Sequence, residues 1–329
     1  MRISVDDGYG NIKVAIETAQ GIRKMVIPAH AVAGVSPMIG NEGDDAGIQI
    51  VRTGDGEIFT LGQSYQAEDT RFADYATSGM NRALVRYAIR RAGVPDNAIH
   101  HLGVGLPVAQ YYTGNKPNRE AIDAKKRHHD QPVFLVTDRD LPLSIPESVS
   151  CFPQSAGVAM AMVHEDIDDD DAVAVVDIGH RTTDVAVFEG GLLMVARSGG
   201  FMELGVAAAK DRFRVALEQR FGLNMEHLTD KAFRKQSLLL SGTRFDVSRE
   251  WQQAIGETAQ IIARSVETVM HGTADIARIV LIGGGAMVFG DALLSHWPQA
   301  MIHEDPVFAN ALAWMEIMAE QEIGENGSQ

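Results

Sequence analysis

The chain has 329 residues, 45% of them hydrophobic and 22% charged, with a formal net charge of −15 at pH 7. This composition is typical of a soluble globular protein with two domains of ordinary size, and the negative charge argues against direct, non-specific DNA binding. A single cysteine excludes an intrachain disulfide and favours the reducing cytoplasm. No apolar run approaches the ~20 residues that span a bilayer, so we expect a cytoplasmic protein without membrane contact.

The first half of the chain combines short strands with irregular segments. Strands are predicted at 2–6, 11–17, 22–28, 101–107 and 149–152, and helices at 77–92 and 155–164, with a charged helix ending near residue 129. The 77–92 helix has one apolar face, and its arginines lie on the other faces. Short hairpins are predicted within 29–75 and 130–146, and we expect these stretches to form an inserted subdomain.

The turn between the first two strands is rich in groups that suit phosphate. It reads DDGYGN over residues 6–11, and Lys13 follows on the returning strand. A glycine lets the backbone approach a ligand closely, turn amides form an anion-binding concavity, and lysine adds a point charge. The alternative is a tight hairpin that uses glycine only for its backbone conformation.

The same unit recurs near the middle of the chain. Two predicted strands, Ala172–Val176 and Val185–Phe188, enclose the sequence DIGHRTTD over residues 177–184. Asp177 is expected in a solvent-facing turn, where it could hold water on Mg²⁺, and the threonines would add hydrogen-bond donors. An ordinary hairpin with a polar turn is the alternative, but two such units suggest two similar halves that face one nucleotide.

The second half of the chain contains long helices and a third glycine-rich turn. The predicted elements are a strand at 192–197, a glycine-rich turn at 199–205, helices at 206–221, 229–240, 248–271 and 306–322, a strand at 279–282 and a disordered tail at 324–329. Three glycines follow the buried strand at 279–282, so an adenine or ribose could lie against their backbone. Three glycines could also simply start a helix.

The order of these motifs resembles that of the superfamily of actins, sugar kinases and heat-shock chaperone ATPases. The similarity narrows to the ParM/StbA family of plasmid-segregation bacterial actins through three segments, DDGYGNIK at 6–13, LPVAQYYTGNKPNREAIDAKK at 106–126 and FPQSAG at 152–157. It is specific at the nucleotide motifs and at the two adjacent tyrosines, and vague at 30–75 and 222–250.

The resemblance implies an α/β, actin-like two-lobe fold. Each lobe would be a mixed sheet flanked by helices, with the nucleotide in the cleft between the lobes. Residues 1–154 would form the first lobe and residues 155–306 the second, and a C-terminal helix at 307–323 would return to the first lobe. The implied cofactors are Mg²⁺ and ATP, with GTP as the alternative nucleotide.

The resemblance also assigns roles to individual residues. Asp6 and Asp177 would bind the hydration shell of Mg²⁺ from opposite lobes, and Gln154 would orient the attacking water, which makes these three the candidate catalytic residues. The candidate nucleotide- and phosphate-binding residues are Asp7, Gly8, Tyr9, Gly10, Asn11, Lys13, Gly179, His180, Arg181, Thr182, Thr183, Gly205, Gly283, Gly284, Gly285 and Ala286.

The chain departs from the family pattern at several of these positions. His180 and Arg181 stand where the family has a second glycine and a threonine, and Gln154 stands where it often has glutamate. Glu147 lies in a second triplet of the family type, Pro-Glu-Ser. Spacing favours Gln154, because it leads into a predicted helix, whereas Glu147 leads into a predicted strand.

The implied function is a slow Mg²⁺-dependent ATPase that polymerises into nucleotide-dependent filaments and segregates plasmid DNA. Its partners would be further copies of itself and a basic DNA-binding adapter of a plasmid partition system, since the acidic chain is not expected to bind DNA directly. Two alternatives stay open. One is a small-molecule kinase, for which no carboxylate base is evident, and the other is a monomeric chaperone-like ATPase, which usually carries a separate substrate-binding domain.

Overall fold

The computed structural model describes residues 1–36, 48–62, 74–96, 98, 100–114, 116–137, 140–162 and 171–326. The chain divides into two compact units, one formed by Met1–Met162 with Val307–Gln329 and the other by Val163–Pro306. The division falls after residue 162 rather than after the expected residue 154, because a helix at Ala156–Met162 packs on the C-terminal helix of the same unit. None of the described helices is both long enough and apolar enough to cross a membrane.

The first unit opens with a hairpin that belongs to a larger sheet. Its strands are β1 (Arg2–Asp7), β2 (Asn11–Thr18), β3 (Gly21–Pro28), β4 (Ala31–Ala33), β5 (Gln49–Thr53), β6 (Ile58–Leu61), β7 (His100–Leu106), β8 (Tyr112–Thr113), β9 (Lys116–Pro117), β10 (Val133–Leu135), β11 (Leu141–Pro142) and β12 (Pro146–Pro153). The helices in this part of the chain are α1 (Gly79–Arg91), α2 (Val108–Tyr111), α3 (Arg119–Asp130) and α4 (Ala156–Met162).

Two five-stranded sheets organise the first unit. The central sheet has the order β12-β7-β1-β2-β3, in which β1 pairs antiparallel with β2 and parallel with β7. The described parts of 29–75 and 130–146 combine in an antiparallel sheet of order β11-β10-β5-β6-β4. The expected inserted subdomain also includes residues 37–47, 63–73 and 138–139, which lie outside the described residues.

The second unit contains one six-stranded sheet and a two-stranded sheet. Its strands are β13 (Ala172–Ile178), β14 (Thr182–Glu189), β15 (Leu192–Leu193), β16 (Gly199–Met202), β17 (Ser237–Leu240), β18 (Thr243–Asp246), β19 (Ile276–Ile282) and β20 (Ala300–Ile302). Its helices are α5 (Val206–Phe221), α6 (Glu226–Lys235), α7 (Ser248–Met270) and α8 (Ala286–His296), and α9 (Ala309–Asn326) completes the first unit.

The two central sheets share one topology. In the second unit the order is β15-β14-β13-β19-β20, again with one antiparallel hairpin, β13–β14, followed by parallel strands, and β14 also pairs with β16. Asp6 is the penultimate residue of β1 and Asp177 is the penultimate residue of β13. The two acidic turns predicted from the sequence therefore occupy equivalent positions in two equivalent sheets.

Close packing of α9 holds the central sheet of the first unit. Trp314 is fully buried and stacks on Phe152 of β12 with ring centroids 6.1 Å apart. Gly105 of β7 leaves the space that the indole occupies, because a Cβ there would lie 2.7 Å from Cζ2 of Trp314. In the second unit, apolar residues of β13, β14 and β19 pack against α5, α7 and α8 around Phe213 and Phe289.

Several predicted elements differ from the structure in the second half of the chain. The expected 229–240 helix ends at Lys235, Gln236 adopts a left-handed conformation with φ +49°, and Ser237–Leu240 forms strand β17. The expected 192–197 strand is short and continues as a 3-10 turn, and the expected turn at 199–205 contains strand β16. Helix α9 includes residues 324–326 of the predicted tail, whose last three residues lie outside the described part.

Candidate functional site

The hairpin of β1 and β2 brings a carboxylate and an ammonium group together beside bare backbone. Asp6 and Lys13 are paired across the two strands, and Lys13 Nζ donates a hydrogen bond to Oδ2 of Asp6 at 2.8 Å. A Cβ at Gly8 would lie 3.2 Å from both Lys13 Nζ and the carbonyl oxygen of Asn11. Glycine therefore keeps the mouth of this hairpin open for a ligand that contacts the lysine.

Asp7 has a structural role that differs from the predicted contact with phosphate. Its Oδ2 accepts hydrogen bonds from Lys125 Nζ at 2.5 Å and from Asn81 Nδ2 at 2.7 Å, and the side chain is almost fully buried. Lys125 is itself fully buried and also donates to the carbonyl oxygen of Ala76 at 2.7 Å. The Asp7 carboxylate thus anchors the hairpin to α1 and α3 instead of facing a ligand.

The remaining residues of the first turn have mixed surroundings. The ring of Tyr9 lies 5.2 Å from that of Tyr75, and the carbonyl oxygen of Gly10 accepts a hydrogen bond from the amide of Ala29 at 3.1 Å. Asn11 is exposed. Tyr9 and Gly10 contact other parts of the first unit, and the contact of Asn11 with phosphate stays a prediction.

The second hairpin places its acid within a strand. Asp177 pairs with Asp184 across β13 and β14 and is only 9% exposed, so the expected solvent-facing turn was wrong for this residue. The turn itself is short, because the amide of Gly179 donates to the carbonyl oxygen of Thr182 at 2.8 Å. Burial makes an isosteric substitution the appropriate way to test Asp177, since truncation would also leave a cavity.

The turn of this hairpin forms hydrogen bonds with the first residues of α5. The carbonyl oxygens of Gly179 and His180 accept from the amides of Val206 at 3.3 Å and Ala207 at 2.7 Å. A Cβ at Gly205 would lie 2.8 Å from the Gly179 oxygen, so glycine is required for this close approach. Gly205 is therefore explained by contact between helix and turn rather than by the predicted contact with nucleotide.

Thr182 and Thr183 differ in what their side chains can do. Thr183 is fully buried and its Oγ1 donates to the carbonyl oxygen of Leu204 at 2.6 Å, while its contact with phosphate stays a prediction. Thr182 is partly exposed at the start of β14. Thr182 and the backbone of Gly179 remain predicted phosphate contacts of this turn as well.

His180 lies close to charged groups of the neighbouring helices. Burial raises the pKa of Asp230 in α6, but the hydrogen bond from Lys210 of α5 at 2.7 Å and the charges of Lys210, His180 and Arg234 together outweigh this. The net effect holds the pKa of Asp230 below its ordinary value. His180 therefore stands among polar groups of α5 and α6, and Arg181 follows it, half-buried, at the tip of the turn.

The three glycines after β19 are not equivalent. Gly283 has φ +81°, its amide donates to the carbonyl oxygen of Pro306 at 2.6 Å, and a Cβ there would clash with the carboxylate of Asp177. The amide of Gly285 donates to the carbonyl oxygen of Ile178 at 2.7 Å. Gly284 alone has no atom within 4 Å of an added Cβ, so its backbone has open space beside it.

These contacts bring two predicted motifs together within the second unit. The glycine turn packs directly on the end of β13, which places Gly283 beside Asp177. Ala286 is fully buried as the first residue of α8, and its contact with nucleotide stays a prediction. Of the four residues at 283–286, Gly284 is the one that can contact a nucleoside without displacing protein atoms.

Gln154 lies where spacing predicted it, between a strand and a helix. Its amide donates to the carbonyl oxygen of Leu106 at 2.8 Å, and α4 begins two residues later. Ser155, at φ +66°, is held by a hydrogen bond from its amide to Oδ1 of Asn310 at 2.9 Å. Glu147 lies inside β12 with a side chain that is 63% exposed. Residues 163–164 of the predicted helix lie outside the described part.

Sequence reasoning missed Lys125, Asn81 and Asn310. Lys125 stands three residues after the buried Ile122 in α3, which is the only local sign that it faces the interior. Asn81 is fully buried in the first turn of α1, and Asn310 is nearly so in the first turn of α9. Each holds a site segment from a distant part of the chain, so local sequence patterns could not assign these roles.

Two family models match separate parts of the chain. Residues 1–165 match the family model for the N-terminal part of the plasmid segregation protein ParM, which is 165 of the 329 residues. Residues 175–295 match the family model for the C-terminal part of the archaeal actin homologue MreB-like. No curated protein matches the sequence.

Solved structures show the same fold along nearly the whole chain. A 15-stranded ParM filament from Clostridium botulinum is 17% identical with a TM-score of 0.76, and the match covers 97% of this chain and 99% of that one. An archaeal actin homologue in complex with ADP is 18% identical, with a TM-score of 0.75 and coverages of 97% and 100%. Bacillus thuringiensis ParM with ATP is 14% identical, with a TM-score of 0.67 and coverages of 98% and 99%.

Proposed function

Because the chain belongs to the ParM/StbA family of actin-like plasmid-segregation proteins, we propose that it is a slow Mg²⁺-dependent ATPase that polymerises into filaments and segregates plasmid DNA through an adapter. The observation that carries the proposal is the repeated hairpin. Asp6 and Asp177 occupy equivalent positions in two sheets of equal topology, and each acid stands beside a glycine that keeps side chains away from it.

The residues at these positions fit a hydrated divalent cation and phosphates. Mg²⁺ keeps most of its water shell and is usually bound through one or two carboxylates together with substrate phosphates. Asp6 and Asp177 supply the carboxylates, and the 2.8 Å ion pair of Asp6 with Lys13 puts a lysine where phosphate charge would gather. When bound, Mg²⁺ would neutralise charge on the β- and γ-phosphates.

The other residues of the site would position the reactants. Lys13 would exchange its contact with Asp6 for a phosphate oxygen, and the backbone of Gly8 and Gly179 would approach the phosphates closely. Gln154 would orient the attacking water through its amide, which cannot take up a proton as a strong base does. Slow hydrolysis is the expected consequence, and it suits a protein whose nucleotide acts as a timer.

Filament formation is supported by the fold and by one relative in particular. Head-to-tail contacts between identical subunits generate open filaments where the rotation does not close a ring. The ParM from Clostridium botulinum that shares this fold is itself a filament. If the triphosphate-bound form is the one that assembles, hydrolysis shifts the population toward subunits that dissociate.

The acidic charge of the chain supports an indirect link to DNA. Proteins that bind DNA without an adapter neutralise phosphates with lysine and arginine, whereas this chain has a net charge of −15. A basic DNA-binding adapter would be attracted to the acidic filament, where many identical subunits present the same surface.

Assembly is tested by light scattering and electron microscopy of the purified chain. Scattering should rise above a critical concentration after Mg-ATP is added and fall as ATP is consumed. Asp177→Asn keeps the size of the buried side chain but removes the charge, so it should abolish both hydrolysis and the ATP-dependent rise. Asp291→Asn, an identical change at an exposed position of α8, should leave both unchanged. Sedimentation showing only monomer or dimer with a non-hydrolysable analogue would remove the filament function.

Hydrolysis is tested separately at the strand–helix connection. Gln154→Ala should slow hydrolysis by about 10²-fold through misplacement of the attacking water, while ATP still binds. Glu147→Ala, at the second residue of β12, is the matched control and should hydrolyse ATP at the parent rate. A slow Glu147 variant with a normal Gln154 variant would reassign the connection.

A further inference from the structure

The first unit contains buried basic side chains that the proposed ATPase function does not use. They lie on α1, on α3 and at the first residue of β7. We call them the basic cluster. Its members, each no more than 9% exposed, are Arg82, Arg86, His100, Lys125, His128 and His129.

The basic cluster has more cations than contacting carboxylates. Lys125 Nζ contacts Asp7 at 2.5 Å, and Arg82 Nη2 contacts Asp55 at 2.5 Å. Arg86 is 1% exposed, and within the described residues it has no carboxylate partner: its Nη2 donates to the carbonyl oxygen of His129. An arginine remains protonated in proteins, so one buried positive charge is left over.

The surroundings of Arg86 do not remove this imbalance. Burial and the charge of Arg82, opposed by the exposed Asp130, lower the pKa of Arg86 to about 10, so the guanidinium is still charged at neutral pH. A buried ion without a counter-charge costs several kcal/mol. The cost falls only if something of opposite charge occupies the cluster.

Nitrogens without hydrogen-bond partners are the atoms that would bind a group of opposite charge. Seven side-chain nitrogens of the cluster have no hydrogen-bond partner within the described part of the chain, namely Nε of Arg82, Nε and Nη1 of Arg86, Nε2 of His100, Nε2 of His128, and Nδ1 and Nε2 of His129. Buried polar groups of this kind are normally bound to protein, water or ions. Here the arginine nitrogens are all donors, and each neutral imidazole has one N–H donor as well.

The histidines contribute hydrogen-bond donors without adding charge. Burial lowers the pKa of His129 well below its ordinary value, and Lys125, His128, Arg86 and Arg82 lower it further. The rings of His128 and His129 lie 5.0 Å apart, and Arg82 Nη1 lies 3.2 Å from Nδ1 of His128. The cluster is therefore a set of donors with a net charge of about +1 at neutral pH.

We infer that the basic cluster binds a small monovalent inorganic anion of the size of chloride, held by Arg86 and His129. A water molecule would fill donor sites but would not supply the missing negative charge. A phosphate or a nucleotide would bring two or more negative charges, which exceeds the single charge to be balanced. The site goes beyond the proposed function, because none of its members is a candidate nucleotide-binding residue and it does not require ATP.

Thermal unfolding of the nucleotide-free chain tests the site without any readout of activity. Chloride is titrated against gluconate, a bulky anion, at constant ionic strength and pH 7.5. The Tm of the parent should rise and saturate, by about 2–4 °C once chloride exceeds its Kd about fivefold. Arg86→Met keeps the stem of the side chain and should lose this dependence, whereas Arg91→Met, at an exposed position of the same helix, should keep it.

A bromide derivative of the parent provides a second measurement that does not depend on the folding of any variant. The anomalous map should contain a peak within hydrogen-bond reach of the Arg86 guanidinium and the His129 ring. A parent Tm that is equal in chloride and gluconate would overturn the proposal. A dependence that survives in Arg86→Met, or a bromide map without a peak at Arg86, would overturn it as well.

Discussion

Replacing Lys125 by methionine tests the structural role assigned to Asp7. The substitution keeps an unbranched side chain but removes the ammonium group that contacts Asp7 Oδ2 at 2.5 Å and the Ala76 carbonyl oxygen at 2.7 Å. Asp7 would be left as a buried carboxylate that accepts a hydrogen bond from Asn81 Nδ2 at 2.7 Å. Breaking a buried ion pair by removing one partner costs about 3–5 kcal/mol, so the free energy of unfolding should fall by that amount.

Urea unfolding followed by circular dichroism measures this loss. Lys126→Met, on the partly exposed side of the same helix, is the matched control and should change the free energy of unfolding by less than about 1 kcal/mol. The double variant Lys125→Met with Asp7→Asn should recover part of the loss, because the remaining buried group is then uncharged. If Lys125→Met costs no more than the control, the buried pair does not exist, and Asp7 returns to the predicted phosphate site.

Three further predictions concern the glycine turn, the buried histidines and DNA binding. Gly283→Ala should lower the free energy of unfolding by about 2–5 kcal/mol, because residue 283 has a positive φ and its Cβ would clash with Asp177. Gly284→Ala should keep the urea midpoint of the parent and weaken ATP binding in a titration. Equal effects of the two substitutions on the urea midpoint would refute the distinction. Burial is the main cause that lowers the pKa of His100 to about 4 and of His128 to about 3, and it also lowers the pKa of His129 well below the unfolded value near 6.5. Below pH 6.5 the unfolded chain therefore binds more protons than the folded chain. The free energy of unfolding should be highest above pH 6.5 and should fall by about 1.4 kcal/mol per histidine at pH 5.5. A urea midpoint that is unchanged between pH 7.5 and 5.5 would contradict this expectation. The chain alone should not shift DNA in a gel at physiological salt, and tight binding would argue against an adapter.

The sequence by itself determined the strands that carry chemistry and the order of the motifs. Both acidic hairpins and the glycine turn were visible because each is a local pattern, an apolar run that ends in an acid or in glycines. The choice of Gln154 over Glu147 also depended only on which residue precedes a helix. Family membership followed from the same local patterns, since they recur at matching intervals along the chain.

Tertiary structure decided what the individual side chains contact. Asp7 and Lys125 are 118 residues apart, and no local pattern shows that one neutralises the other. The arginines of α1 were expected on faces away from the apolar one, yet Arg82 and Arg86 are buried and contact His128 and His129 of α3.

Contacts between distant segments also explain why some elements differ from their predictions and why Thr183 contacts protein. Leu238–Leu240 is a short apolar run that fits a helix or a strand, and the left-handed residue before it together with pairing to β18 made it a strand. Residues 199–202 form strand β16 because they pair with the first residues of β14. The hydroxyl of Thr183 donates to the Leu204 carbonyl oxygen, 21 residues away. Local sequence sets which groups are available, but only the approach of distant segments determines which of them remain for a ligand.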